Sequence, residues 1–173
     1  MKVAADTGAL ISLKLCGILE KSLDFFVYLI GEKIKEELEQ IAATPDELGE
    51  AARDILSLIG RGVEIVKTSG HEEGEYEALE ILNRIADILI SDDIKFVKAQ
   101  RDERISFSTF VLFFLYKKGI FDKREILRTL DSIFKKRKWA ENLILDICNC
   151  ERFNRKRIIL LVYCNEIKKE LED

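Results

Sequence analysis

The chain reads as an α/β protein built on a parallel sheet, and three observations predict it. Short apolar runs alternate with amphipathic helical patterns from the first residues to about position 107, as right-handed βαβ units require. The run DILI, Asp87 to Ile90, is almost continuously aliphatic, which suits a parallel strand covered on both faces. At 173 residues and 47% hydrophobic, the chain is the size of one domain with its own core.

The elements follow in order. Lys2 to Ala5 is a short apolar strand ending at Asp6, and Thr7-Gly8 opens an amphipathic helix running to about Leu23. FFVYLI, Phe25 to Ile30, is the second strand, followed from Gly31 by a helical pattern reaching Ile41. Thr44, Pro45, Asp46 and Glu47 predict a helix start, with a hydroxyl cap, proline at the first helical position and acids in the first turn. That helix runs to Gly60, and Gly62 releases a third strand, Val63 to Val66. After a polar loop with Thr68, Ser69, Gly70 and His71 come a helix from about Glu72 to Ile85 and the strand Asp87 to Ile90. A helix with Phe96, Val97 and Ala99 and a short strand at Ile105 to Phe107 complete the alternation, and the remainder reads as helical.

Composition narrows the function classes. No uncharged apolar stretch reaches the roughly 18 residues of a membrane span, and Met1-Lys2 passes directly into a strand without a signal-peptide core. A cytoplasmic protein with no membrane partner is expected. Cys16, Cys148, Cys150 and Cys164 are too scattered for a paired zinc motif and read as buried thiols. Abundant Glu and Lys beside only Gln40, Gln100 and Pro45 resemble the usage of heat-adapted, thermophile proteins. Residues 1–100 carry 11 Lys and Arg against 20 Asp and Glu, whereas residues 101–173 carry 17 against 12. An acidic half able to hold cations thus precedes a basic half able to hold a polyanion.

The acidic half carries the chemistry. Four acidic stations stand where apolar runs meet helical ones: Asp6 in ADTGALISL, Glu37 in KIKEELEQI, Glu75 in GEYEALEIL, and Asp92 with Asp93 in ILISDDIKF. Carboxylates placed after buried strands gather at the carboxyl edge of the sheet, where open α/β folds put their ligands. Gathered there, they need a cation to offset their repulsion. An all-oxygen donor set suits Mg²⁺ or Mn²⁺, and such an ion suits hydrolysis at phosphorus. Each residue also has a plainer role open to it. Asp6 and one of Asp92 and Asp93 fit simple helix caps, Glu37 and Glu75 fit solvated helix positions, and His71 fits an ordinary loop residue.

At these residues the sequence resembles the PIN-domain family of metal-dependent nucleases, which includes the toxins of VapBC-type toxin–antitoxin pairs. Asp6-Thr7 matches the family's strand-ending D-T/S, and Glu37-Leu38 matches its second acid. GEYEAL matches a G-E-x-E-A variant with Glu75 in third place, and Ser91-Asp92-Asp93 matches the T-x-D of the fourth, a spacing that favours Asp93. The resemblance covers about Lys2 to Phe121. It implies a three-layer α/β/α sandwich with a mostly parallel sheet as a nuclease domain over 1–121; residues 122–173, longer than the compact toxins of the family need, read as a helical C-terminal extension packed on the same domain. It further implies Asp6, Glu37, Glu75 and Asp93 as catalytic and metal-holding residues with Asp92 beside them, Mg²⁺ or Mn²⁺ as cofactor, and single-stranded RNA as substrate. A small antitoxin protein is a further implied partner. The alternative is a non-catalytic RNA-binding or regulatory protein that keeps the fold.

The rest of the sequence supplies candidate contacts. Lys98 and Arg101, three apart, would share a helix face close to the acids and guide a phosphate. Lys135 to Lys138 before Trp139, and Arg152, Arg155, Lys156 and Arg157 around Phe153, would add salt-dependent affinity for RNA. Phe107, Phe110, Phe113 and Phe114 exceed a single core-facing stripe. They fit either a homodimer or partner-helix surface, or a helix buried on nearly all sides.

Overall fold

The computed structural model describes residues 1–122, 124–126, 128–129 and 132. Five strands, β1 (Lys2–Ala5), β2 (Val27–Ile30), β3 (Val63–Ile65), β4 (Ile88–Ile90) and β5 (Ile105–Ser106), form one sheet in the order β3-β2-β1-β4-β5. Every pairing is parallel. Between and after the strands run α1 (Thr7–Leu15), α2 (Leu19–Ser22), α3 (Glu32–Ala42), α4 (Glu47–Ser57), α5 (Gly74–Arg84), α6 (Ile94–Ala99) and α7 (Thr109–Lys117). The helices flank the sheet in a three-layer α/β/α fold.

The central strands explain the layering. Val3, Ala4 and Ala5 of β1 are fully buried, as are Tyr28, Leu29 and Ile30 of β2 and Leu89 and Ile90 of β4. Such strands are stable only when helices cover both faces. Leu10 and Leu13 of α1, Ile34 and Leu38 of α3 and Ile55 of α4 lie in the same core, each worth about 1.5–3 kcal/mol on burial. Past Phe121 the chain still contributes to this core through Ile126, which is fully buried.

Strand order fixes where a ligand can sit. From β1 the chain steps outward to β2 and β3, then returns to place β4 on the opposite side of β1. The β1–β4 junction is therefore the topological switch point, where the connections leaving two neighbouring strands diverge and open a crevice at their carboxyl ends.

Several boundaries differ from the sequence reading, each for a local reason. The first helix does not continue to Leu23: Gly17, at φ +66°, ends α1 in a left-handed turn. There Gly17 N–H donates to the Lys14 carbonyl at 2.9 Å and Ile18 N–H to that of Leu13 at 2.9 Å, a pairing that closes a helix end. The cap of α4 is Asp46 rather than Thr44, with its carboxylate accepting the Gly49 N–H at 2.8 Å. Thr44 instead donates its hydroxyl to the Asp46 carboxylate at 2.7 Å and to the Ile41 carbonyl at 2.8 Å. Phe25 and Phe26 precede β2 in a turn whose amides both donate to the Ser22 carbonyl.

Part of the aromatic excess on α7 is absorbed within the chain. Phe114 meets Phe26 edge-on at 4.7 Å and Phe25 at 5.7 Å, and Phe110 meets Phe26 at 6.5 Å. Among the described residues, no helix is long and apolar enough to cross a membrane. The Cys16 thiol donates to the Ser132 hydroxyl at 3.7 Å. The other three cysteines, the basic runs at 135–138 and 152–157, Trp139 and nearly all of the expected extension over 122–173 lie outside the described residues.

Candidate functional site

Asp6 follows β1 directly, and Ser91, Asp92 and Asp93 follow β4. Parallel pairing of Ala5 with Ile90 puts these two strand ends side by side, at the switch point. The Asp6 N–H donates to the Ile90 carbonyl at 3.1 Å. Over this edge α3 brings Glu37 and the first turn of α5 brings Gly74 and Glu75. Asp6, Thr7, Gly8, Glu37, Gly74, Glu75, Asp92 and Asp93 line one cavity of about 240 Å³. Residues up to 87 positions apart in sequence thus converge, and all five acids expected from the sequence border the same space.

Within it, Asp6, Glu37, Asp92 and Asp93 are each held by specific donors. Asp6 is only 4% exposed. One of its oxygens caps α1 by accepting the Ala9 N–H at 2.6 Å, and the other accepts the buried hydroxyl of Ser91. The Ser91 oxygen in turn accepts the Asp93 N–H at 3.1 Å, so one hydroxyl bridges two of the acids. Asp93 caps α6 through the Phe96 N–H at 2.8 Å. Glu37 accepts the Thr7 hydroxyl at 2.5 Å. Asp92, 6% exposed, accepts the Ser108 N–H at 3.0 Å and its hydroxyl at 2.9 Å, which ties the end of β4 to the start of α7.

Burial is the main cause of an unusual acid. It raises Asp6 from 3.8 to about 7; the Ser91 hydroxyl and the Ala9 N–H pull the other way, while the charges of Asp92 and Glu75 push it up further. The pocket is short of positive charge at neutral pH, and the proton on Asp6 supplies some of it.

The donors are all oxygen atoms, the preference of a hard divalent cation, and the displaced titration of Asp6 is what a site lacking such a charge would show. On both counts the residues fit Mg²⁺ or Mn²⁺. Among the described residues, however, no three or more His, Cys, Asp and Glu side chains stand grouped so as to hold a metal ion as they are. Carboxylate oxygens of Asp6, Glu37, Asp92 and Asp93 are taken up by hydroxyls and amides of the pocket wall.

The expected phosphate guides are arranged differently from the sequence reading. Lys98 lies on α6, but that helix ends at Ala99, and Gln100 is already extended with ψ 140°. Arg101 is therefore past the helix and shares no helical face with Lys98. His71 stands apart from the acids, its Nε2 2.8 Å from a Glu80 oxygen. Hydrogen bonds from Ser69, His71 and Arg84 hold the Glu80 carboxyl down at about 2.

One residue important to the site was not singled out by the sequence reading. Glu77 is 1% exposed on α5 and accepts the Lys33 N–H at 3.2 Å, the Ile34 N–H at 3.0 Å and the Thr68 hydroxyl at 2.8 Å. The signal was present: Gly74, Glu77, Ala78, Ile81 and Leu82 are the buried positions of α5. Their spacing is that of a core-facing stripe, and Glu77 is the one charge in it.

No family model, no curated protein and no solved structure matches the chain.

Proposed function

We propose that the chain is a metal-dependent endoribonuclease of the PIN type, hydrolysing phosphodiester bonds in single-stranded RNA. The observation that carries the reading is the convergence of Asp6, Glu37, Glu75, Asp92 and Asp93 on one cavity at the switch point, where open α/β sheets bind ligands. Asp6, Glu37, Glu75 and Asp93 would hold one or two Mg²⁺ or Mn²⁺ ions. Bound there, the ion would supply Lewis-acid polarisation of the phosphodiester and make water more acidic.

The chain's own residues do the rest. The Ser91 hydroxyl and the Ala9 N–H would fix the orientation of the Asp6 carboxylate, which would have to be unprotonated to hold the ion. Thr7 orients Glu37 in the same manner. Asp92, with both oxygens committed to Ser108, contributes negative field and fixes the β4 end. Lys98 and Arg101 follow the acids in the chain and would attract the RNA backbone.

The test incubates purified protein with single-stranded RNA oligonucleotides of varied sequence and Mg²⁺ or Mn²⁺, beside Asp6→Asn. Cleavage by the wild type alone is expected. Equal activity in both proteins, or none in either, would sink the proposal.

A second reading has an observation in its favour. Asp6, Glu37, Asp92 and Asp93 are engaged by hydroxyls and amides, and among the described residues no three acids are grouped around a metal position. That suits a non-catalytic RNA-binding or regulatory protein, for which RNA binding without cleavage is the expected outcome. Under either reading the protein is proposed to be cytoplasmic and to act as a homodimer. A small antitoxin bound over the acidic cavity would be the partner if the nuclease is a toxin.

A further inference from the structure

We propose that Glu77 is a positioning residue for the acidic cavity: its buried carboxylate latches α3 to α5, so that Glu37 and Glu75 face a common ion. The inference rests on the nuclease reading of that cavity and names a residue that touches neither ion nor RNA.

Burying an ionised carboxylate costs several kcal/mol unless charge-assisted hydrogen bonds compensate. Glu77, 1% exposed, finds its compensation on another helix. Lys33 and Ile34 are the second and third residues of α3, whose cap, Gly31, offers no side chain. Their amides would otherwise be orphans at the positive end of the helix. Glu77 accepts both, at 3.2 and 3.0 Å, and also takes the Thr68 hydroxyl from the loop that leads into α5.

Gly31 makes the seat possible. A Cβ there would lie 2.0 Å from the Glu77 carboxyl carbon, while φ −100° is ordinary for any residue. The glycine is required for room, not for backbone freedom.

A helix that needed only capping would take a serine, asparagine or aspartate at its own cap position, with no buried charge imported from 43 residues away. The long-range solution does something a local cap cannot: it fixes the distance between two helices. One turn beyond Ile34, α3 carries Glu37; two residues before Glu77, α5 carries Glu75. Between those two acids, the position of a Cβ on Gly74 is 3.1 Å from a Glu37 oxygen. Metal ligands on separate elements must be held to about 0.5 Å, and Glu77 is the bonded link between these two.

The experiment separates capping from positioning. Glu77→Ala removes cap and latch together; Glu77→Ala/Gly31→Asp returns a local cap to α3, the space for it having been vacated, without rejoining the helices. Thermal unfolding and Mn²⁺ affinity, by calorimetric titration of the metal alone, are measured for wild type, both variants, Glu77→Gln and Asp6→Asn. We expect the double variant to regain most of the melting temperature lost by Glu77→Ala, yet to bind Mn²⁺ about 10- to 100-fold more weakly than wild type, the range for partners that orient metal ligands. Glu77→Gln, which keeps the volume but turns N–H groups toward the α3 amides, should also bind more weakly while folded.

Should the double variant or Glu77→Gln bind Mn²⁺ as wild type does, while Asp6→Asn does not, the latch is refuted and the nuclease reading stands. Should wild type bind no more tightly than Asp6→Asn, the nuclease reading falls and takes this inference with it. If the double variant does not fold, Glu77→Gln alone decides.

Discussion

At pH 8 and without metal, replacing Asp6 by asparagine should make the protein more stable, not less. Burial holds the Asp6 carboxyl at about 7 against 3.8 for an ordinary aspartate. The folded state therefore grips this proton more tightly than the unfolded chain does. Stability from that grip is complete below about pH 4, declines as pH rises through 7, and is gone above it. A displacement of about three units corresponds to on the order of 4 kcal/mol. Asparagine has the same shape and no proton to lose, so it escapes the decline. Thermal unfolding in EDTA at pH 4, 5, 6, 7 and 8 should show the two proteins nearly level at pH 4. By pH 8 the variant should melt roughly 10 °C higher, given about 2–4 °C per kcal/mol for a chain of this size. Mn²⁺ should then narrow that gap at pH 8 by about 2.7 kcal/mol at a hundred times the dissociation constant, because a cation replaces the proton in the wild type alone. Melting curves that stay parallel across this range, with or without Mn²⁺, would mean that Asp6 is an ordinary helix cap.

Three other substitutions probe the architecture around it. Gly31→Ala, whose new methyl would displace the Glu77 carboxylate, should cost about 3 kcal/mol in urea unfolding, well outside the range of about 0.5 kcal/mol for harmless surface changes. Asp92→Ala strips two buried donors of Ser108 of their acceptors and should lower stability by about 3 kcal/mol, with a smaller effect on Mn²⁺ affinity than Asp93→Ala; the opposite ranking would make Asp92 the ligand. Asp46→Ala should lower stability by about 1 kcal/mol through loss of the α4 cap, and an unchanged melting temperature would return that role to Thr44.

How much of this was legible in the sequence depended on the range of the interactions involved. The strands were found to within one or two residues, because a buried parallel strand is marked by local aliphatic content. Phe25 and Phe26 were misread as strand because their hydrophobicity serves a tertiary contact with Phe110 and Phe114, which no local pattern distinguishes from pairing. The break at Gly17 was readable in principle from a glycine at the end of an apolar stripe. The shift of the α4 cap was not, since Thr44 and Asp46 are both good caps and the choice turns on which of them reaches the Gly49 amide. Arg101 was placed on a helix that ends two residues earlier; Ile94–Ala99 is so short that its spacing hardly differs from that of a turn.

The acids divide along the same line. Asp6 and Asp93 were legible because each follows an aliphatic strand and opens a helix, and adjacency of strand ends follows once β1 pairs with β4. That pairing is itself long-range: nothing local in Lys2–Ala5 or Ile88–Ile90 says that the chain crosses back to the far side of β1. The ordering of the acids along the chain carried that information indirectly, since acids on β1 and β4 can act together only if those strands adjoin. In GEYEAL the two glutamates have opposite surroundings. Glu75 borders the cavity, half-buried and near Glu37, whereas Glu77 is swallowed by the core stripe and spends its charge on α3. On the proposed reading, the motif would supply one acid for an ion and another for the scaffold that holds the ion's ligands. Glu75→Gln should therefore weaken Mn²⁺ binding with little change in unfolding free energy, whereas Glu77→Ala should lower both. The two effects, read on the same folded protein, distinguish the residue that would meet the cation from the one that aims it.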